Sequence, residues 1–148
     1  RAIHTPGHAR DHLCYYLEEE KVLFTGDLVL GAGTTVVPEE GGGLIDYMAS
    51  LRKLLTLDLA VIYPAHGPAI RDPYKKLNDY IAHRELREQQ ILDAMKAGLS
   101  EIPAMVKRIY TDVPEFLHGA AGNSVLSHLN KLKKEGVVRQ EGERWVLV

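Results

Sequence analysis

Thr5-Pro6-Gly7-His8-Ala9-Arg10-Asp11-His12, Phe24-Thr25-Gly26-Asp27 and Tyr63-Pro64-Ala65-His66-Gly67-Pro68 are three short turns, each following or lying between runs that read as β-strands. Through His8, Asp27 and His66 they carry two imidazoles and a carboxylate to strand ends. Neutral histidine nitrogen and ionised carboxylate oxygen suit zinc, manganese or iron, and an Asp can bridge two cations. Three ligands do not close such a site, and no further His cluster in the chain supplies the rest.

Working outward, Leu13–Leu17 and Val22–Thr25 are β-prone runs, with the acidic Glu18-Glu19-Glu20-Lys21 as the hairpin turn between them. Residues 31–43 form a loop rich in Gly, Thr and Pro, expected to be flexible and near the site, either shaping a substrate pocket or merely tolerated surface. Apolar residues at 44, 47, 48, 51, 54 and 55 predict a helix, and Leu59–Tyr63 a short buried strand ended by Pro64. Pro73 opens a long helix to about Lys96, its apolar stripe running through Leu77, Tyr80, Ile81, Leu86, Ile91, Leu92 and Met95, and Gly98 stops it.

The order predicts a boundary there, with residues 1–98 as one unit and 99–148 as a second. In the second, a helix starts near Ile102-Pro103 with Met105, Val106, Ile109 and Tyr110 on one face. A short helix from Glu115 to about Ala121 follows, then a third from Asn123 to Glu135 carrying Val125, Leu126, Leu129 and Leu132. A hairpin over 137–147 closes the chain. Three helices and a terminal hairpin in about 50 residues is the winged-helix pattern.

Composition narrows the classes. Apolar residues at 45% and charged residues at 26% are those of a globular protein. A net charge of −2 gives no bulk attraction to nucleic acid or membrane. The single Cys14 excludes an internal disulfide framework and is compatible with a reducing, cytoplasmic setting. No apolar run approaches the roughly 20 residues that span a bilayer. The chain opens at Arg1 inside a strand end, so it reads as part of a longer protein.

The three turns, in this order and at spacings of 19 residues (His8 to Asp27) and 39 (Asp27 to His66), resemble the second half of the metallo-β-lactamase superfamily fold. Residues 83–92 and the winged-helix tail are similar to β-lactamase-like protein 2, an endoribonuclease, and its bacterial relatives. The resemblance implies an α/β chain: the second half of a four-layer αββα fold, followed by a C-terminal winged-helix domain. It implies that His8 ligates a first divalent metal, Asp27 bridges two and is the catalytic carboxylate, and His66 ligates the second, zinc being the expected ion. The cation pair would activate a bridging hydroxide for phosphodiester cleavage in single-stranded RNA. The family's His-x-His-x-Asp-His motif lies upstream of this segment. The missing N-terminal half is therefore the first partner expected, and the 148 residues alone are expected to bind metal poorly, to be inactive and to expose apolar sheet surface.

Neighbouring residues are weighed by the same logic. His4 reads as a strand-end residue hydrogen-bonded to backbone, and His12 as a support for the ligands rather than a ligand itself. Ala9 stands where relatives often carry Thr, removing a hydroxyl beside His8. His83, Arg84, Arg87 and Glu88 fall at helical spacing, either a face stitched by an Arg84–Glu88 pair or a place where His83 or Arg84 steers a phosphate. The tail has seven Lys/Arg against six Asp/Glu. Lys131 and Lys134 near a helix C-terminus are either phosphate contacts or a solvated helix end. RNA contact and a structural or homodimerising role stay open. Trp145 is expected to pack in the wing core. A glyoxalase II-like thioester hydrolase is the alternative activity, without the His-Glu-Tyr-Thr stretch that would support it. Antibiotic hydrolysis is disfavoured because Asp27 is intact. A non-catalytic winged-helix module on a degenerate metal fold is the third reading.

Overall fold

The computed structural model describes residues 1–148, which divide into compact units of residues 1–83 and 84–148. In the first, β1 (Ala2–His4), β2 (Leu13–Leu17), β3 (Val22–Gly26) and β4 (Val61–Pro64) form one sheet in that order. The first three strands are antiparallel, and β3 pairs with β4 in parallel. A parallel neighbour needs a crossover. It is made by the loop of residues 31–42, which holds a 3₁₀ turn at Glu39–Gly41, and by helix α1 (Gly43–Leu54).

Strict alternation along the strands separates two faces. Ile3, Cys14, Tyr16, Leu23 and Ile62 point into a core with Leu44, Tyr47, Met48, Leu51 and Leu54 of α1 and with Leu77 and Tyr80. Each such aliphatic side chain removed from water contributes about 1.5–3 kcal/mol before the cost of ordering it. Leu13, Tyr15, Leu17, Phe24 and Tyr63 lie on the other face and are exposed. Register places Tyr15 opposite Phe24 and Phe24 opposite Tyr63, and the Phe24 and Tyr63 rings stack at 5.6 Å. This face is an exposed apolar surface with no covering element in the chain. β4 begins two residues later than the sequence pattern predicts, yet Leu59 remains buried.

Helix α2 (Pro73–Lys96) runs through both units, Leu77 and Tyr80 in the first core and Ile91, Ala94 and Met95 in the second. The contact boundary therefore falls inside this helix, whereas the sequence pattern places the division at Gly98, where the helix stops. Leu86, assigned to the apolar stripe, is 55% exposed. In the second unit α3 (Ile102–Ile109) is followed by a 3₁₀ turn at Glu115–Leu117 and by α4 (His118–Lys134). The two helices expected on either side of residue 122 are thus one. Asn123 reads in sequence as a helix start, but it lies inside α4. The hairpin of β5 (Val138–Glu141) and β6 (Arg144–Leu147) forms the wing. Met105, Val125, Leu129, Leu132, Val138 and Trp145 make its core, with Trp145 buried as expected.

Candidate metal centre

Three turns at the strand ends carry His8, Asp27 and His66. After β1 the chain turns at Pro6-Gly7, where Gly7 has φ +139° and a Cβ would lie 2.6 Å from Tyr47 Cα. Only glycine fits, so the backbone can pack on α1 and its N–H can donate to Gly41 O at 2.9 Å. Asp27 follows β3 directly, its turn closed by Leu28 N–H donating to Thr25 O at 3.0 Å. The His66 turn follows β4 and is tied to the Asp27 turn by Ala65 N–H donating to Gly26 O at 2.9 Å.

Nε2 of His66 lies 3.3 Å from Asp27 Oδ1, and Nε2 of His8 lies 3.9 Å from Asp27 Oδ2. Each carboxylate oxygen thus faces a different imidazole. Asp27 Oδ1 is buried and accepts no hydrogen bond, an uncommon state for a buried acceptor and one that a cation would relieve. The ring of His8 is set by its far nitrogen, which is 2.9 Å from Val36 O. A carbonyl only accepts, so Nδ1 carries the proton and the Nε2 lone pair faces Asp27. The donors match divalent zinc, manganese or iron chemistry as two half-sites sharing one carboxylate. No group of three or more His, Cys, Asp or Glu side chains closes on one point to hold an ion. Each half-site needs further ligands.

The remaining site candidates separate. His12 Nδ1 lies 2.9 Å from Thr5 Oγ1, and its ring meets that of His8 edge-on with centroids 6.4 Å apart. Burial, with the neighbouring His8, lowers the His12 pKa against the pull of Asp27 and Asp11. Its ring packs beside His8, and its Nε2 lies 2.9 Å from where a Cβ on Gly26 would stand, next to Asp27. His4 Nε2 is 2.8 Å from Arg10 O, the backbone role expected of it. Buried Cys14 has its thiol pushed up to about 11 by burial, which leaves it inert, although the Thr5 hydroxyl opposes the shift.

His83 falls outside the second unit, since it belongs to the first and is half-buried. Arg84 is 7% exposed. Lys131 is paired with Glu88 at 2.8 Å and with Glu135 at 2.9 Å, so its charge is already matched within the fold. Lys134 stays exposed on the last turn of α4. Nothing in the sequence singles out His128, yet it is 1% exposed with both ring nitrogens unpartnered, and Glu88 lies 3.8 Å from it. Burial lowers its pKa, opposed by Glu88. Burial would raise that of Glu88, but His128 and Lys131 outweigh it and the net shift is downward.

The loop of residues 31–42, rich in Gly, Thr and Pro, lies near the site as its position in the sequence suggests. It is a strap across all three turns. Gly31 N–H donates to His66 O at 2.9 Å, Thr35 Oγ1 donates to Asp27 O at 2.5 Å, and the Val36 carbonyl holds His8. Buried Thr35 and Val37 fix the strap from within. These contacts join residues far apart in sequence, and a Gly/Thr-rich composition gives no sign of them.

An open α/β sheet with helices on one face brings two histidines toward one aspartate at its strand ends. Comparison with known proteins gives the family. Residues 1–66 match the family model of the Metallo-beta-lactamase superfamily, and residues 102–145 that of the Beta-lactamase associated winged helix domain. A "Beta-lactamase-like protein 2 homolog" from Caenorhabditis elegans is 42% identical over 99% of this chain and 50% of its own length. The Drosophila melanogaster homologue of the same name is 44% identical over 94% and 47%. A "Lactamase-like protein adaB" from Aspergillus niger is 39% identical over 100% and 51%. Among solved structures, a metallo-beta-lactamase family protein from Thermus thermophilus superposes with a TM-score of 0.80 at 28% identity, over all of this chain and 49% of that one. A Beta-lactamase domain protein from Burkholderia ambifaria shares the fold with a TM-score of 0.86 at 23% identity, over all of this chain and 48% of that one. The chain belongs to the metallo-β-lactamase superfamily, carrying a C-terminal portion of its domain and the associated winged helix. It spans about half the length of the relatives it matches.

Proposed function

We propose that the polypeptide carrying this chain is a metal-dependent hydrolase that cleaves phosphodiester bonds of single-stranded RNA at a two-metal centre, with zinc as the resident ion. The observation that carries the reading is the shared carboxylate of Asp27, one oxygen facing His8 and the other His66. When bound, the metal pair supplies a nucleophilic hydroxide and Lewis acidity toward a phosphoryl oxygen. Asp27 as a bridging anion lowers the repulsion between two cations. His8 and His66, as neutral donors, fix geometry without cancelling the positive charge. The ligands that complete each half-site come from the upstream half of the fold, whose sheet is the partner for the open face of Tyr15, Phe24 and Tyr63.

RNA as substrate is supported by the resemblance to β-lactamase-like protein 2 and by the winged helix. Exposed Lys107, Arg108, Lys133 and Lys134 offer phosphate contacts there, while Arg139 is turned toward Glu141 at 2.8 Å. A cytoplasmic location fits the buried, unreactive Cys14, and no helix is long and apolar enough to cross a membrane. The test is parallel incubation of the zinc-loaded full polypeptide and its Asp27→Ala variant with labelled single-stranded RNA and with a glutathione thioester. RNA cleavage lost in the variant is the expected result. Thioester turnover without RNA cleavage would assign the chain to the glyoxalase II-like alternative.

A further inference from the structure

We infer that Thr35 is a positioning residue of the metal centre, one hydroxyl coupling the tautomer of His8 to the backbone of Asp27. This rests on reading His8 and Asp27 as metal ligands. Thr35 is 5% exposed, in a loop whose neighbours Thr34 and Val36 are open to solvent. Its hydroxyl hydrogen is committed to the Asp27 carbonyl at 2.5 Å, and its oxygen lies 3.4 Å from His8 Nδ1. A hydroxyl that has given its one hydrogen away offers only lone pairs to a third group. The next residue, Val36, presents its carbonyl to the same Nδ1 at 2.9 Å. Nδ1 of His8 therefore faces two acceptors and keeps its proton, leaving Nε2 as the lone-pair nitrogen on the Asp27 side.

The strap is pinned at a second point. Tyr80 OH donates to Gly33 O at 2.7 Å and accepts from Leu30 N–H at 3.1 Å. Between that anchor and the 3₁₀ turn at Glu39, the Thr35 hydroxyl ties the strap to the backbone of a ligand residue. Removing it frees the Val36 carbonyl to drift and takes away one of the two acceptors. His8 then gains access to the other tautomer, whose Nε2–H repels a cation. Partners that orient a ligating imidazole are worth about 10–100-fold in metal affinity.

The test compares the full polypeptide with Thr35→Val, which keeps shape and loses the hydroxyl, and Thr35→Ser, which keeps the hydroxyl. Histidine ring ¹⁵N–¹H spectra of metal-free protein, at about pH 8 where imidazoles are neutral, read the His8 tautomer directly. Zinc titration reads affinity. The expected result is a single Nδ1–H tautomer in the parent and in Thr35→Ser. Thr35→Val should show a mixture, with zinc bound about 10–100-fold more weakly. The inference is overturned if Thr35→Val keeps both the tautomer and the affinity, or if Thr35→Ser loses them equally. Zinc binding that survives Asp27→Ala with both ions and undiminished affinity would overturn the metal-ligand reading instead, and it shows separately because the tautomer is measured without metal.

Discussion

Nε2 of His66 stands 3.3 Å from Oδ1 of Asp27, an oxygen that is buried and receives no hydrogen bond. Across the carboxylate His8 faces Oδ2, so one side chain serves two imidazoles. A purely structural aspartate would be satisfied by backbone N–H groups or hydroxyls. Asp27→Asn keeps the shape and removes the bridging anion. Zinc content of the purified full polypeptide should fall from two ions to one or none, with hydrolysis reduced by at least about 10²-fold. Elemental analysis of parent and variant is the check.

Gly31 is where the strap touches the His66 turn. A Cβ at this position would lie 2.4 Å from Pro68 O and 2.5 Å from Pro68 N, both backbone atoms. Gly31→Ala must push the two segments apart, costing about 1–3 kcal/mol by overpacking. His66 should move with them. A lowered denaturation midpoint together with weakened zinc binding is expected, and a midpoint equal to the parent's would contradict the contact.

Glu88, His128 and Lys131 form a polar cluster in the core of the second unit. The folded state holds His128 neutral, below its ordinary value of 6.5, mainly by burial. The unfolded chain takes up a proton there as pH falls through 6.5, so stability is full above that pH and declines below it. Glu88, with its pKa lowered from 4.5, adds a second loss only below that value. Urea midpoints should fall between pH 6.5 and 5 in the parent, and the decline should flatten in His128→Gln. Glu88→Gln at neutral pH should cost about 1–3 kcal/mol, because Lys131 loses the more buried of its two carboxylate partners.

The open sheet face makes a prediction for the 148 residues expressed alone. With Leu13, Tyr15, Leu17, Phe24 and Tyr63 uncovered, the chain should self-associate in sedimentation velocity and bind a hydrophobic dye. Phe24→Lys with Tyr63→Lys should suppress both. A monomer that ignores the dye would contradict the assignment of this face as an interface.

Trp145 is 2% exposed and its backbone N–H donates to Ser100 O at 2.7 Å. Trp145→Ala should destabilise the wing by about 3–5 kcal/mol, seen as loss of near-ultraviolet circular dichroism.

The turns that carry His8, Asp27 and His66 are legible in the sequence because their chemistry is local. Pro6-Gly7, Gly26 and Pro64 end strands, and His or Asp immediately beside them has few other reasons to recur in that order. The strands and α1 follow from period and turn residues. What escapes a sequence reading depends on contacts across the chain. Thr35 and Tyr80 acquire roles only when the strap closes over residues far away in sequence. Leu86 fits a helical stripe but faces solvent. Gly122-Asn123 has the look of a helix start, but α4 continues through. A Cβ on Gly122 would meet the Ile102 side chain at an ordinary 3.5 Å, so the glycine neither breaks the helix nor is required by its packing.

The most direct measurement is anomalous diffraction at the zinc edge from crystals of the full polypeptide grown with zinc. Two peaks are predicted, one beside His8 and one beside His66, with an Asp27 oxygen bound to each. A single peak away from Asp27, or two peaks with Asp27 bound to neither, would contradict the account.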